Sequence, residues 1–246
     1  MIQDLRAALA FLTIVPVGYP EGRKPGYAYG WFPLVGLLIG LVLVGVAVVP
    51  VSAEVRALLI LLAWVVLTGG LHLDGLADSC DGLLATTTPE KRLDIMKDPR
   101  AGSWAVVGVV LLLLGKWVLL RESAPVALLI APVAGRWMLT AAAWGYPYAR
   151  STGLGAWFKD GLGRPQMALA TLLAGLATLL AGGVLVAAVW LDPRALLALP
   201  LTLALLIGLG RWMAGRLGGG LTGDCYGALC EVTEFMCLLG MVLWQG

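Results

Sequence analysis

Apolar residues in this chain come in long unbroken blocks, without the strict alternation of half-buried strands. A helix of about 20 such residues, rising about 1.5 Å per residue, is long enough to cross the hydrocarbon of a bilayer. Seven segments meet that length or come close to it: 31–51, 56–73, 102–120, 125–144, 167–190, 195–214 and 225–244. The opening run is of another kind. Residues 3–16 hold Asp4 and Arg6 among apolar positions, and no small-x-small cleavage site follows, so they predict an interfacial helix and not a signal peptide. The expected fold is all-α: a polytopic integral membrane protein of about seven transmembrane helices, one domain over 1–246.

The gaps between the blocks alternate in character. Those at 52–55, 121–124 and 191–194 are short, and those at 1–30, 74–101, 145–166 and 215–224 are long and charged. Twelve Lys and Arg residues lie in or beside the long gaps, against only Arg56, Arg121 and Arg194 at the short ones. The positive-inside rule then puts the N-terminus and the long gaps in the cytoplasm. Lys116 and Arg136 lie within blocks, and Lys116 is close enough to Arg121 for its ammonium to snorkel outward. Gly36 and Gly40 form the small-x-x-x-small pattern of closely packed helices.

Composition narrows the class further. The chain is 60% hydrophobic and 13% charged, well outside the range of soluble domains. A net charge of +2 leaves no footprint for nucleic acid, and none is expected as a partner. Four cysteines without a C-x-x-C pair, and a single histidine, make a zinc site hard to assemble; the thiols read as small buried hydrophobes.

Where charge is scarce, its clusters carry the chemistry. In GGLHLDGLADSCDG, residues 69–82, Asp74, Asp78 and Asp81 recur at i, i+4 and i+7. On a helix they fall within about 60° of one another. Carboxylates so close raise one another's pKa unless a divalent cation lies among them, and oxygen donors suit Mg²⁺ or Mn²⁺. His72 is an acid–base candidate beside them. Residues 87–100 predict a short helix with a threonine cap and a proline in its first turn, ended by Pro99. Asp94 and Asp98 share its face with Lys97 and Arg100 beside them, which makes either a lid carrying cations to phosphate or self-neutralising surface pairs. Near the C-terminus, Gly218, Gly219 and Gly220 approach a helix start whose N–H groups suit an anion. Asp224 and Glu231 stack at i, i+7 on that helix, and Glu231 lies level with Arg136, so a buried Arg136–Glu231 pair is an alternative to a ligand role. Arg150, Lys159 and Arg164 read as headgroup contacts. Acids and cations gathered on one face of a membrane protein point to phosphoryl or nucleotidyl transfer.

At these residues the sequence resembles the cobalamin synthase family, the adenosylcobinamide-GDP ribazoletransferases. The likeness rests on GGLHLDGLADSCDG, on DIMKDPRAG at 94–102, and on GGLTGDCYGA at 219–228 with Glu231 and Glu234. Phe11-Leu12-Thr13 with Pro16, and Phe32 to Gly36, match more weakly, and Pro99 stands where a typical member has serine. The resemblance implies that adenosylcobinamide-GDP is joined to α-ribazole or its 5′-phosphate, with release of GMP, by a Mg²⁺-dependent enzyme of the prokaryotic cytoplasmic (inner) membrane. On that reading Asp74, Asp78 and Asp81 hold Mg²⁺ against the pyrophosphate, and Asp81 or His72 takes the proton. Lys97, Arg100 or Arg136 stabilises the developing charge, while Asp94, Asp98, Arg136, Asp224 and Glu231 serve substrate binding. The lipid bilayer is the expected surrounding partner, and a homo-oligomer or association with other corrinoid-pathway enzymes is compatible with it. The acidic stripe also looks like that of the CDP-alcohol phosphotransferases, but Asp78 follows Ala77 where their pattern has Arg. A transporter would spread its charges across the bilayer, whereas here they concentrate at one face.

Overall fold

The computed structural model describes residues 1–150, 154–191 and 193–245, with side chains described at all of these except 154, 182–201 and 244–245. The expected gaps 145–166 and 191–194 therefore fall partly outside the described residues, at 151–153 and 192. The chain is helical: α1 Ile2–Leu12, a 3₁₀ turn Pro25–Trp31, α2 Phe32–Ala47, α3 Ala53–Thr68, α4 Leu71–Leu84, α5 Pro89–Ile95, α6 Ser103–Glu122, α7 Pro125–Gly145, α8 Leu154–Phe158, α9 Arg164–Leu191, α10 Pro193–Arg216 and α11 Gly223–Gln245. Six of the seven expected blocks fall each on one helix, and the seventh, 56–73, is divided between α3 and α4. Among the described residues five stretches are long and apolar enough to cross a membrane, or six with α3 and α4 taken as one broken span.

One expected block is corrected. Residues 56–73 are not one rod: Gly69 and Gly70 both take left-handed backbone (φ 60° and 67°), which side-chain-bearing residues rarely adopt. The chain turns there by 88°, so α3 keeps the apolar run and α4 carries the aspartates crosswise to it. The N-terminal helix also ends early, at Leu12, because the Ile14 N–H leaves it to donate to the Leu67 carbonyl at the end of α3 (2.9 Å).

Glycines set the closest approaches. A Cβ on Gly36 would lie 2.5 Å from the Pro132 carbonyl oxygen, and one on Gly40 would lie 2.6 Å from that of Leu128, so α2 and α7 meet backbone to backbone. Gly36→Ala is expected to lower stability by about 1–3 kcal/mol through overpacking, read as a fall in the unfolding midpoint in detergent. Gly45, with open space around it, should accept the same change with no comparable loss.

The interior is charged as well as apolar. Lys116, Arg136, Glu231 and Glu234 are all buried. The Lys116 ammonium donates to Glu231 (2.6 Å) and also to Glu234, and the Arg136 guanidinium donates to Glu234. Two expectations are thereby overturned. Lys116 does not snorkel; it turns inward over the Trp64 ring, 4.6 Å from its centroid. Arg136 pairs with Glu234 and not with Glu231. The reason is charge balance: two carboxylates from α11 cannot stay ionised in an apolar interior beside one guanidinium, and Lys116 brings the group to neutrality.

Candidate active site

A cleft of about 860 Å³ opens among the ends of the helices joined by the long loops, lined from α1, α2, α4, α5, α8, α11 and the stretch after α7. Its charged wall is assembled from distant parts of the chain. Residues 147–149 run beside 221 as a single parallel bridge: the Ala149 N–H donates to the Leu221 carbonyl and the Leu221 N–H to that of Pro147, each at 2.9 Å. That pairing brings the Arg150 guanidinium within 3.3 Å of the Asp224 carboxylate. Thr222 caps α11, its hydroxyl accepting from the Cys225 N–H (3.3 Å) and donating to Asp224 (3.1 Å). From the other side α4 closes on α11 at Gly75, where a Cβ would stand 2.8 Å from the Asp224 carbonyl oxygen.

Helix α4 is fixed at its C-terminal end. Arg216 donates to the carbonyls of Leu83 (2.7 Å) and Ala85 (3.0 Å), and Arg92 donates to that of Ala85 (2.9 Å), placing cations where the helix dipole is negative. Asp81 reaches across to α6, accepting from the N–H groups of Gly102 (2.6 Å) and Ala105 (2.9 Å). Both of its oxygens thus cap another helix, while Asp74 lines the cleft with Asp224 and Asp78 lies within reach of both. Burial first, and then the charges of Asp224, Asp74 and Asp81, push the Asp78 carboxyl up to about 6, against the pull of Arg150. Among the described residues no three His, Cys, Asp or Glu side chains stand close enough together to hold a metal ion by themselves. The donor set nonetheless fits one: carboxylate oxygens in excess over a single guanidinium favour a hard divalent cation that completes its shell with waters and phosphates.

His72 is buried at the cleft wall, and neither ring nitrogen has a hydrogen-bond partner among the described residues. Burial, followed by the charges of Arg136 and Lys116, holds its pKa well below the ordinary value, so the imidazole is neutral at pH 7. The 87–100 stretch divides. Helix α5 is capped by Thr88 and starts at Pro89, as its sequence predicts, and it presents Glu90 and Asp94 to the cleft with Lys97 just beyond. Lys97 lies 3.6 Å from Asp94. Asp98 and Arg100 are absent from the cleft lining and pair with each other at 2.6 Å, an arrangement whose hydrogen bonds hold Asp98 at about 2. Arg136 and Glu231 belong to the buried charged group and do not line the cleft.

Sequence reasoning missed several lining residues. Arg150, read there as a headgroup contact, faces Asp224 across 74 positions of sequence, a separation that no local pattern reveals. Aromatic residues form the opposite wall: Phe11 lies against Phe158 (4.4 Å between centroids) and Phe32 (5.9 Å), and Tyr29 against Phe32 (4.6 Å). Tyr226 lines the same cleft, its buried hydroxyl without a partner. Phe11 and Phe32 stood in the weaker matching runs, which is the only signal the sequence offered for this wall.

Comparison with known proteins gives one consistent result. The family described as cobalamin-5-phosphate synthase matches residues 4–242. A protein of Pseudomonas putida (strain W619) named adenosylcobinamide-GDP ribazoletransferase is 42% identical over 246 residues, covering 96% of this chain and 97% of its own. Its namesake in Roseiflexus sp. (strain RS-1) is 38% identical over 245 residues, covering 96% of this chain and 88% of its own. No solved structure matches.

Proposed function

This chain belongs to the cobalamin-5-phosphate synthase family, and from that premise we propose how its cleft carries out the family's reaction. The enzyme is a transferase that joins adenosylcobinamide-GDP to α-ribazole in the final step of cobalamin synthesis. A ribazole hydroxyl attacks the phosphate nearer the cobinamide, the bond to the far phosphate breaks, and GMP leaves. Asp74, Asp78 and Asp224 are the carboxylates that would hold Mg²⁺ together with waters and substrate phosphates, and Asp81 keeps its place as the cap of α6. The bound cation supplies Lewis-acid polarisation of the phosphate oxygens. Arg150 and Lys97 neutralise phosphate charge from the cleft wall. His72, kept neutral, accepts a hydrogen bond from the attacking hydroxyl, orients it, and relays its proton to the phosphate of the departing GMP as the new P–O bond forms.

The observation that carries this placement is the meeting of Asp74, Asp224 and Arg150 in one cleft large enough for part of a nucleotide. The cationic loops that join the helix ends around the cleft support, by the positive-inside rule, our reading of a cytoplasmic cleft and N-terminus in an inner-membrane protein of seven spans. The test is product formation by purified protein in detergent, given adenosylcobinamide-GDP, α-ribazole and Mg²⁺. A new corrinoid and an equal amount of GMP, both dependent on the riboside, are expected by chromatography. GMP released at the same rate without riboside would mean hydrolysis and overturn the placement of the acceptor.

A further inference from the structure

The cleft is divided in its chemistry, and its aromatic half has no part in the account of charge and phosphate given above. The chain contains four phenylalanines, and three of them, Phe11, Phe32 and Phe158, line this cleft. With Tyr29 they form an unbroken series of ring contacts running from the partly exposed Phe158 to the buried Phe32 and Tyr29. So many rings in one wall exceed what helix packing needs, since a packed core is made as well by Leu and Val. Open aromatic faces beside a phosphate-handling site are the means by which proteins hold the planar base of a nucleoside, through stacking that tolerates differences at the ring edges.

Three tyrosines stand at that wall, Tyr29, Tyr148 and Tyr226. The Tyr226 hydroxyl is enclosed, lies within electrostatic reach of the other two, and has no hydrogen-bond partner among the described residues. A buried hydroxyl left unpaired is costly, and a ligand atom that accepts from it removes the cost. A base with a single ring-nitrogen acceptor matches the one tyrosine hydroxyl that is buried and unpaired beside these rings. Guanine, with donors and acceptors along its whole edge, would leave more of them unpaired there.

Resting on the reaction proposed above, we infer that the base of the riboside acceptor stacks in the aromatic half of the cleft, against Phe11 and Phe158, with the Tyr226 hydroxyl donating to its ring nitrogen. The ribose then points toward Asp74, Asp224 and Arg150, where the pyrophosphate of the other substrate lies. The acceptor's selectivity is therefore set by ring shape and by one hydrogen bond.

Steady-state kinetics in detergent test this, with KM measured separately for each substrate in wild type, Phe158→Ala, Phe11→Ala and Tyr226→Phe. Loss of a stacking ring is expected to raise KM for the riboside about 5- to 100-fold. Tyr226→Phe is expected to raise it about 2- to 10-fold while keeping the ring in place. KM for adenosylcobinamide-GDP should stay within about twofold throughout, and kcat at saturating riboside should be little changed. Phe158→Ala and Tyr226→Phe, one at the partly exposed rim and the other isosteric, keep the test valid if Phe11→Ala does not fold. A rise confined to the KM for adenosylcobinamide-GDP would place guanine on the wall and overturn the inference, and so would no change in either KM. Wild type that forms no corrinoid product would instead overturn the reaction on which the inference rests, an outcome visible before any variant is made.

Discussion

Asp78→Asn is expected to lower kcat by about a hundredfold to ten-thousandfold with the helices intact, because a metal's stabilisation of charge on phosphate amounts to several kcal/mol and each 1.4 kcal/mol is a tenfold change in rate. Asp78 sits where Asp74, Asp81 and Asp224 all raise its pKa, so its ionised form is the one that a bound cation rescues. EDTA on wild type should give the same loss, and added Mg²⁺ should restore activity in wild type far better than in the variant. Asp81→Asn supplies the contrast. Its amide oxygen still accepts from one of the two N–H groups, those of Gly102 and Ala105, that the carboxylate takes at the start of α6. Activity should therefore stay within about tenfold of wild type, the range set by one lost hydrogen bond away from the reacting atoms. The reverse order, Asp81→Asn inactive and Asp78→Asn active, would move the metal away from the cleft wall and refute the assignment.

Lys116→Met is expected to destabilise the fold by about 3–5 kcal/mol, because it leaves Glu231 and Glu234 sharing a single buried guanidinium. Removing the charge from both partners should be far milder: Lys116→Met with Glu231→Gln restores neutrality and should recover most of the loss. Unfolding midpoints of the two single variants and the double in detergent give the coupling directly. A lysine that reached the headgroups would show neither the large single effect nor the recovery.

The spans were legible because apolar length is a local property, and the alternation of long and short gaps was legible for the same reason. The bend at Gly69–Gly70 was written in the sequence as two adjacent glycines, but the apolar residues on both sides hid it: hydropathy records length and not direction. Asp74, Asp78 and Asp224 stood out because acids are rare near apolar blocks. The capping role of Asp81 did not, since its partners Gly102 and Ala105 lie more than 20 positions away. Lys116 was misjudged for a reason that could have been found, because Glu231 and Glu234 on one helix outnumber Arg136 and call for a second cation. Arg150 and the aromatic wall depend on which loop lies beside which helix end, and only tertiary structure supplies that.

The elbow after Thr68 has a consequence for where the enzyme can live. Helix α3 has 16 residues, so its axis measures about 24 Å, against a hydrocarbon thickness of about 30 Å. Hydrophobic mismatch of that size is relieved by local thinning of the lipid, at a fraction of a kcal/mol per Å. If α3 spans alone, α4, which leaves its end at 88°, is expected to be drawn down with that end and its carboxylates with it. Turnover is then expected to be faster in bilayers of short-chain lipids than in thick, well-ordered ones that strain the hinge, a comparison that reconstitution in the two lipids makes directly.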